Sequence, residues 1–213
     1  MLDDIRELLR KYSPSELDEH FLVACPFYKA ESEYAPVYKL IHDLATSRVL
    51  VRLQLKLNEI AVASEFSLEF GRVNGVTGNK ITVANGDNFI AFIEVKTGRL
   101  KLIQPAIYTY FEGVKTLVAD LRMGDVLAID VKTAERLIKE LIRHNSDKEQ
   151  VRELGKRIPG GECAYCGSDC ELRLNKKRNY NPLKSLPKIL ENIEVVVEKI
   201  LSEVTREVEK CKL

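Results

Sequence analysis

The chain contains no tryptophan, two methionines and three glutamines (Gln54, Gln104 and Gln150), and its three histidines, His20, His42 and His144, lie in unrelated segments. Scattered histidines argue against a site built on an imidazole pair. No apolar run approaches the roughly 20 residues that a membrane span needs, and the opening Met1-Leu2-Asp3-Asp4 offers no apolar signal core. These absences are read as a cytoplasmic protein with no membrane partner. Also missing are a glycine-rich phosphate loop behind a strand, a nucleophile elbow and a zinc-protease helix. No catalytic residue is therefore expected, and the protein is read as non-enzymatic. An excess of one charge sign is lacking too. Lys and Arg number 33 against 32 Asp and Glu, so any affinity for a polyanion has to come from local asymmetry.

Such asymmetry exists. Residues 171–188 hold six Lys or Arg against the single Glu171. Just before this stretch lie three thiols, Cys163, Cys166 and Cys170, with two and three residues between them. Thiolates at such spacings can converge on one ion, so structural zinc held by these cysteines is expected. The fourth ligand is not evident, and Cys25, His20, His42 and His144 are the upstream candidates. A disulfide using two of the three thiols is the main alternative. The high charge content leans toward a thermophilic composition, in which intracellular disulfides persist.

Residues 2–11 and 15–24 read as short helices separated by Ser13-Pro14, a cap followed by a residue suited to the first helical position. Apolar residues spaced three and four apart predict a long helix from Pro36 to Ser64. Between turn pairs such as Asn74-Gly75 and Asn85-Gly86, runs rich in β-branched and aromatic residues predict four strands, at about 66–73, 79–84, 88–96 and 99–104, joined as an antiparallel meander. A helical stretch from Pro105 to about Leu121 and an amphipathic helix from about Thr133 to Ile142 follow. The fold class is α+β, a four-stranded antiparallel meander flanked by helices. Three regions are expected: an α+β nucleic-acid-binding domain (1–145), a basic cysteine-containing linker or metal knuckle (146–185), and a terminal helix (186–213). In that helix Leu186, Leu190, Ile193, Val197, Ile200 and Val204 form an a/d stripe. The stripe is expected to join chains as a homodimer or tetramer, the alternative being that it packs on its own domain.

One sheet face is expected to stay wet, carrying Lys80, Lys96, Arg99 and Lys101, with Phe92 in phase with Lys96 and with Tyr108 and Tyr110 at the edge. Rings among cations suit single-stranded nucleic acid, because bases stack on the rings while phosphates pair with Lys and Arg. Lys176, Lys177 and Arg178 add a second basic patch. The bland alternative places Phe92 and the tyrosines in the core.

The helices leading into the strands at 66–104, the helices over 105–142 and the terminal helix at 186–213 resemble the ThermoDBP-related single-stranded DNA-binding proteins of hyperthermophilic archaea. The resemblance implies a non-catalytic homo-oligomer that binds single-stranded DNA or RNA, with replication or repair proteins as further partners. Weak sequence preference is expected of such binding. A rival from another class is a protein assembly adaptor that uses the terminal helix and the cysteine knuckle.

Overall fold

The computed structural model describes residues 1–29, 35–57, 60–78, 89–158, 163, 166, 170 and 182–211. Helices α1 (Leu2–Lys11) and α2 (Pro14–Leu22) part where the sequence predicts. The Glu16 backbone N–H donates to Ser13 Oγ, and the Ser13 N–H donates to the Glu16 carboxylate at 2.7 Å, a reciprocal cap that fixes the start of α2. Helix α3 (Ala35–Lys56) ends short of the expected Ser64, because residues from Ala61 onward enter a strand.

Five strands, β1 (Ala61–Leu68), β2 (Gly71–Gly78), β3 (Ala91–Lys96), β4 (Thr116–Asp120) and β5 (Asp125–Ile129), form one sheet in sequence order. Every neighbouring pair is antiparallel except β3 and β4, which run parallel from Phe92↔Thr116 to Lys96↔Asp120. Helix α4 (Ile103–Glu112) makes the crossover that a parallel pair requires. The expected four-stranded meander is thus corrected to a mixed sheet. The strand expected at 99–104 is absent, since α4 begins at Ile103, and the strand expected at 79–84 lies outside the described residues. The helix expected to run to Leu121 stops at Gly113, whose φ of 69° suits a glycine cap, and gives way to β4. All five residues of β4 are buried. A short run buried on both faces shows no two-residue alternation and cannot be told from helix by pattern.

Helix α5 (Val131–Glu153) starts at Asp130, whose side chain accepts from Thr133 N at 2.7 Å, and it runs through the expected domain boundary near residue 145. With α1, α2 and α4 it covers one face of the sheet, where Val76, Phe92 and Val118 are buried. Helix α3 and the terminal α6 (Leu186–Cys211) cover the other, over Ile93, Val95, Leu117 and Ala119. The expectation that the α6 stripe joins chains is corrected here. Ile193, Val197, Ile200 and Val204 are buried inside this chain's own core, and Leu186 and Leu190 pack at its margin. Fully burying an aliphatic side chain gains about 1.5–3 kcal/mol before entropic costs, so a helix that buries six of them belongs to the core. Polar contacts fix its register: Asn192 Nδ2 donates to Leu121 O at 2.8 Å, and Lys199 Nζ donates to Gly124 O at 2.9 Å. Among the described residues no helix is long and apolar enough to cross a membrane.

Candidate functional site

Strand β3 reads Ala91-Phe-Ile-Glu-Val-Lys96, and residues two apart share a strand face. Phe92, Glu94 and Lys96 therefore point together toward α4. Phe92 is fully buried, so Glu94 and Lys96 are carried under the same helical layer, at 2% and 9% exposure. Their contact is direct. Lys96 Nζ lies 3.1 Å from Glu94 Oε2 and donates to Gln104 Oε1 at 3.0 Å. Gln104 and Tyr108 stand one turn apart on α4 and are neighbours on its surface. Gln104 Nε2 donates to the Tyr108 hydroxyl at 2.9 Å, and that hydroxyl donates to Arg72 O at 3.2 Å. Gly71 admits the phenol, since a Cβ at that position would sit 2.6 Å from the Tyr108 oxygen.

The site is closed from β2 by Asn74. Backbone pairing between β2 and β3 ends at Gly75↔Ile93, and side chains take over from there. Asn74 N donates to Glu94 Oε1 at 3.2 Å, while Val95 N donates to Asn74 Oδ1 at 2.8 Å. Across β1 the ladder passes from Ser64↔Gly75 to Phe66↔Val73, skipping Glu65, which adopts a left-handed φ of 54°. Backbone strain in a non-glycine residue is tolerated where surrounding structure enforces it, and such residues cluster at functional sites. From the opposite layer His42 on α3 reaches the end of β3, with Nδ1 3.4 Å from Thr97 Oγ1.

Asp18 on α2 completes the cluster. It is fully buried, and its two oxygens accept from Ile103 N at 2.7 Å and Gln104 N at 3.2 Å, so it holds the N-terminus of α4. Burial raises the pKa of Asp18 and of Glu94, with the Lys96 ammonium acting against it in both. Burial lowers that of His42, and Lys96 adds to the effect, which favours a neutral imidazole at pH 7. Burial also holds the Tyr108 phenol up at about 12, against the hydrogen bond from Gln104. Buried charges are costly even when paired, so a network of titratable groups at the carboxyl end of a parallel strand pair marks a candidate site.

The expected nucleic-acid face is built differently. Phe92 and Tyr108 are buried and present no ring for stacking, which corrects their expected role. Lys96 is turned inward as described. Lys101 pairs with Glu19, Arg99 Nη2 donates to Leu22 O at 3.4 Å, and Tyr110 is half-buried against Phe111. Lys80, Lys176, Lys177 and Arg178 lie outside the described residues. The sequence did carry one signal for the buried cluster: if Phe92 is core, its strand-face neighbours Glu94 and Lys96 are core as well.

The three clustered cysteines fall in a segment described only at those positions. Cys166 is buried, its N–H donates to Cys163 O at 3.3 Å, and Cys163 and Cys170 are half-buried. No disulfide joins these cysteines or Cys25. Among the described residues no three His, Cys, Asp or Glu side chains gather as a metal site. The Arg157 guanidinium stacks over the Phe27 ring at 5.3 Å. Comparison with protein-family models, curated proteins and solved structures finds no match, so the site is read on its chemistry alone.

Proposed function

We propose that the cluster is a phosphodiester-cleaving site and that the protein acts on nucleic acid, with single strands as the substrate class. The observation that carries this reading is the direct contact of buried Glu94 and Lys96, bonded by uncharged polar groups of β2 and α4. Taken as ionised, Asp18 and Glu94 against Lys96 leave one net negative charge in the protein interior, a sign that a hard divalent cation offsets. Glu94 would be its carboxylate ligand, with the Asn74 side-chain carbonyl, which accepts from Val95 N, on the neighbouring strand. Mg²⁺ needs only one or two carboxylates when waters and substrate phosphate complete its shell.

A cation held there would supply activated water for attack on phosphorus, with the leaving oxygen taking up a proton as its bond to phosphorus breaks. Lys96 offsets the charge that spreads over the phosphoryl oxygens, and Gln104, steadied by Tyr108, positions Lys96. A labelled single-stranded oligonucleotide with Mg²⁺ or Mn²⁺ tests this. Cleavage is expected in wild type and lost with a chelator or in Glu94→Gln. Intact substrate with both metals, or unimpaired cleavage by Glu94→Gln, overturns the reading.

A binding role without chemistry is the second reading. It agrees with the resemblance to single-stranded DNA-binding proteins, and it requires salt-dependent binding in the presence of a chelator. Fluorescence anisotropy separates the two readings. A structural zinc at Cys163, Cys166 and Cys170 is a companion proposal, with its fourth ligand left open. Metal analysis with thiol counting tests it, and absent metal with missing thiols points to a disulfide instead.

A further inference from the structure

Helix α2 is tied to two neighbours through buried charges. Asp18 and His20 stand two residues apart, about 200° around the helix axis, so they face opposite sides. Asp18 faces α4. That helix has no side-chain cap of its own at Leu102, Pro105 carries no N–H, and Ala106 N bonds back to Leu102 O at 3.0 Å. The N–H groups left over in its first turn, those of Ile103 and Gln104, are the two that Asp18 accepts.

On its other side α2 rests on α5. Lys148 of α5 is buried, and its Nζ donates to His20 O at 2.9 Å and to Val23 O at 2.7 Å, a cation seated on the last carbonyls of α2. The His20 ring lies against Tyr12 at the end of α1, with centroids 4.4 Å apart, and its buried Nδ1 has no hydrogen-bond partner among the described residues. Across the junction the Nε2 of His144 is buried and unpartnered in the same way, and its ring meets Phe21 edge-on at 5.7 Å. The charged groups around His20 are Lys148, Arg152 and Glu149 of α5 and Glu16 of α2 itself. Burial holds the His20 pKa below the ordinary histidine value, with Lys148 and Arg152 adding to the effect and Glu149 and Glu16 opposing it. A released α2 regains the ordinary value of about 6.5 and binds the proton that the seated helix refuses, so mild acid favours release.

We infer that α2 is a proton-released strap on the site: when His20 takes up a proton, α2 leaves α5 and Asp18 lets go of the first turn of α4. Ile103 and Gln104 then lose their acceptor, the turn frays, and the Gln104 side chain withdraws from Lys96, which it otherwise meets at 3.0 Å. The effect on cleavage rests on the hydrolytic reading, whereas the release of α2 does not.

The chain has only three glutamines, so side-chain amide NMR of the full, isotope-labelled chain reads Gln104 directly. Gln54, bonded to Ile60 O and Val62 N beside β1, is the internal reference. From about pH 7.5 to about pH 5.5, on either side of the ordinary histidine value, the Gln104 signals are expected to shift while those of Gln54 stay. His20→Phe keeps an aromatic ring against Tyr12 and is expected to abolish that shift. It also separates His20 from Asp18 and Glu94, whose raised pKa values make them further proton acceptors. Lys148→Met removes the tie to α2 directly and is expected to show the acid-form Gln104 signals at neutral pH, with thermal melts to confirm folding of each variant. Gln104 signals that do not move in wild type, that move equally in His20→Phe, or that keep their neutral positions in Lys148→Met overturn the inference. Cleavage measured in parallel keeps the two readings apart. Cleavage lost in step with the Gln104 shift supports both, and a Gln104 shift in a chain that cleaves at no pH upholds the strap and overturns the hydrolytic reading.

Discussion

Replacing Lys96 by Met tests whether the cluster is a paired buried charge or an incidental contact. The ammonium lies 3.1 Å from Glu94 Oε2, and Glu94 is 2% exposed. Without Lys96 that carboxylate keeps the Asn74 N–H at 3.2 Å but loses its counter-charge. Removing one partner of a buried pair typically costs about 3–5 kcal/mol. At about 2–4 °C per kcal/mol for a chain of this size, Tm should fall by about 10 °C at neutral pH. The pH dependence follows from the sign of the Glu94 shift. Its folded pKa is already raised by burial, and without Lys96 it rises further. The folded variant then binds a proton more tightly than the unfolded chain, so its deficit shrinks as pH falls through the raised value. In Glu94→Gln with Lys96→Met no buried charge is left uncompensated, and stability should return to within about 1 kcal/mol of wild type. Under the hydrolytic reading that double variant is folded but inactive. Differential scanning fluorimetry at neutral and acidic pH, with urea titrations for free energies, makes the measurement. A wild-type Tm for Lys96→Met at neutral pH, equal deficits at both pH values, or a double variant as unstable as the single one would refute the reasoning.

Three further outcomes are expected. Asn74→Asp places a second carboxylate beside Glu94, where Asn74 Oδ1 now accepts from Val95 N at 2.8 Å; like charges at close range should lower Tm without metal, and Mg²⁺ or Mn²⁺ should restore it and raise cleavage. A melt that stays insensitive to metal counts against a cation at Glu94. Ile200→Ala in α6 should cost about 2–5 kcal/mol, as expected for a fully buried aliphatic; removal of 186–213 should abolish cooperative unfolding, and a truncated chain that melts cooperatively disproves the place of α6 in the core. His20 and His42 are both held below the ordinary histidine pKa, chiefly by burial. Their contribution to stability is present above about pH 6.5 and lost as pH falls toward their folded values, so His42→Gln should reduce the drop in urea midpoint between neutral and mildly acidic pH. An undiminished drop shows that His42 does not titrate as its surroundings require.

Local signals located the elements whose determinants are local. Ser13, Pro14 and Glu16 define the start of α2 in sequence and in structure alike, because a cap is made by residues three apart. Strand β4 was not legible. Its burial on both faces comes from α4 on one side and α6 on the other, and α6 follows it by more than 60 residues, so Thr116–Asp120 shows no alternation. The α6 stripe was legible as a stripe but not in its destination. A seven-residue apolar repeat records only that one side of a helix is covered, and α3 of the same chain covers it as well as a second chain would.

The candidate site was hidden for a related reason, and its case shows where pattern reading fails. Charged residues alternating with neighbours on a strand normally mark the wet face, and on that rule Lys96 and Phe92 belong in solvent. The rule assumes that no other segment brings compensating polar groups. Here Asp18 comes from 85 residues away along the chain to hold the first turn of α4, that turn fixes Gln104 against Lys96, and Asn74 reaches Glu94 from β2 across 20 residues. None of these partners is recognisable as one until the fold has assembled them. The single inference open to the sequence was conditional: once Phe92 is assigned to the core, Glu94 and Lys96 must be buried too, and two opposite charges on one buried strand face then have to be explained by chemistry or by pairing. The Lys96→Met series separates those explanations, since pairing predicts only a change in stability, whereas chemistry also predicts wild-type cleavage that the intact double variant has lost.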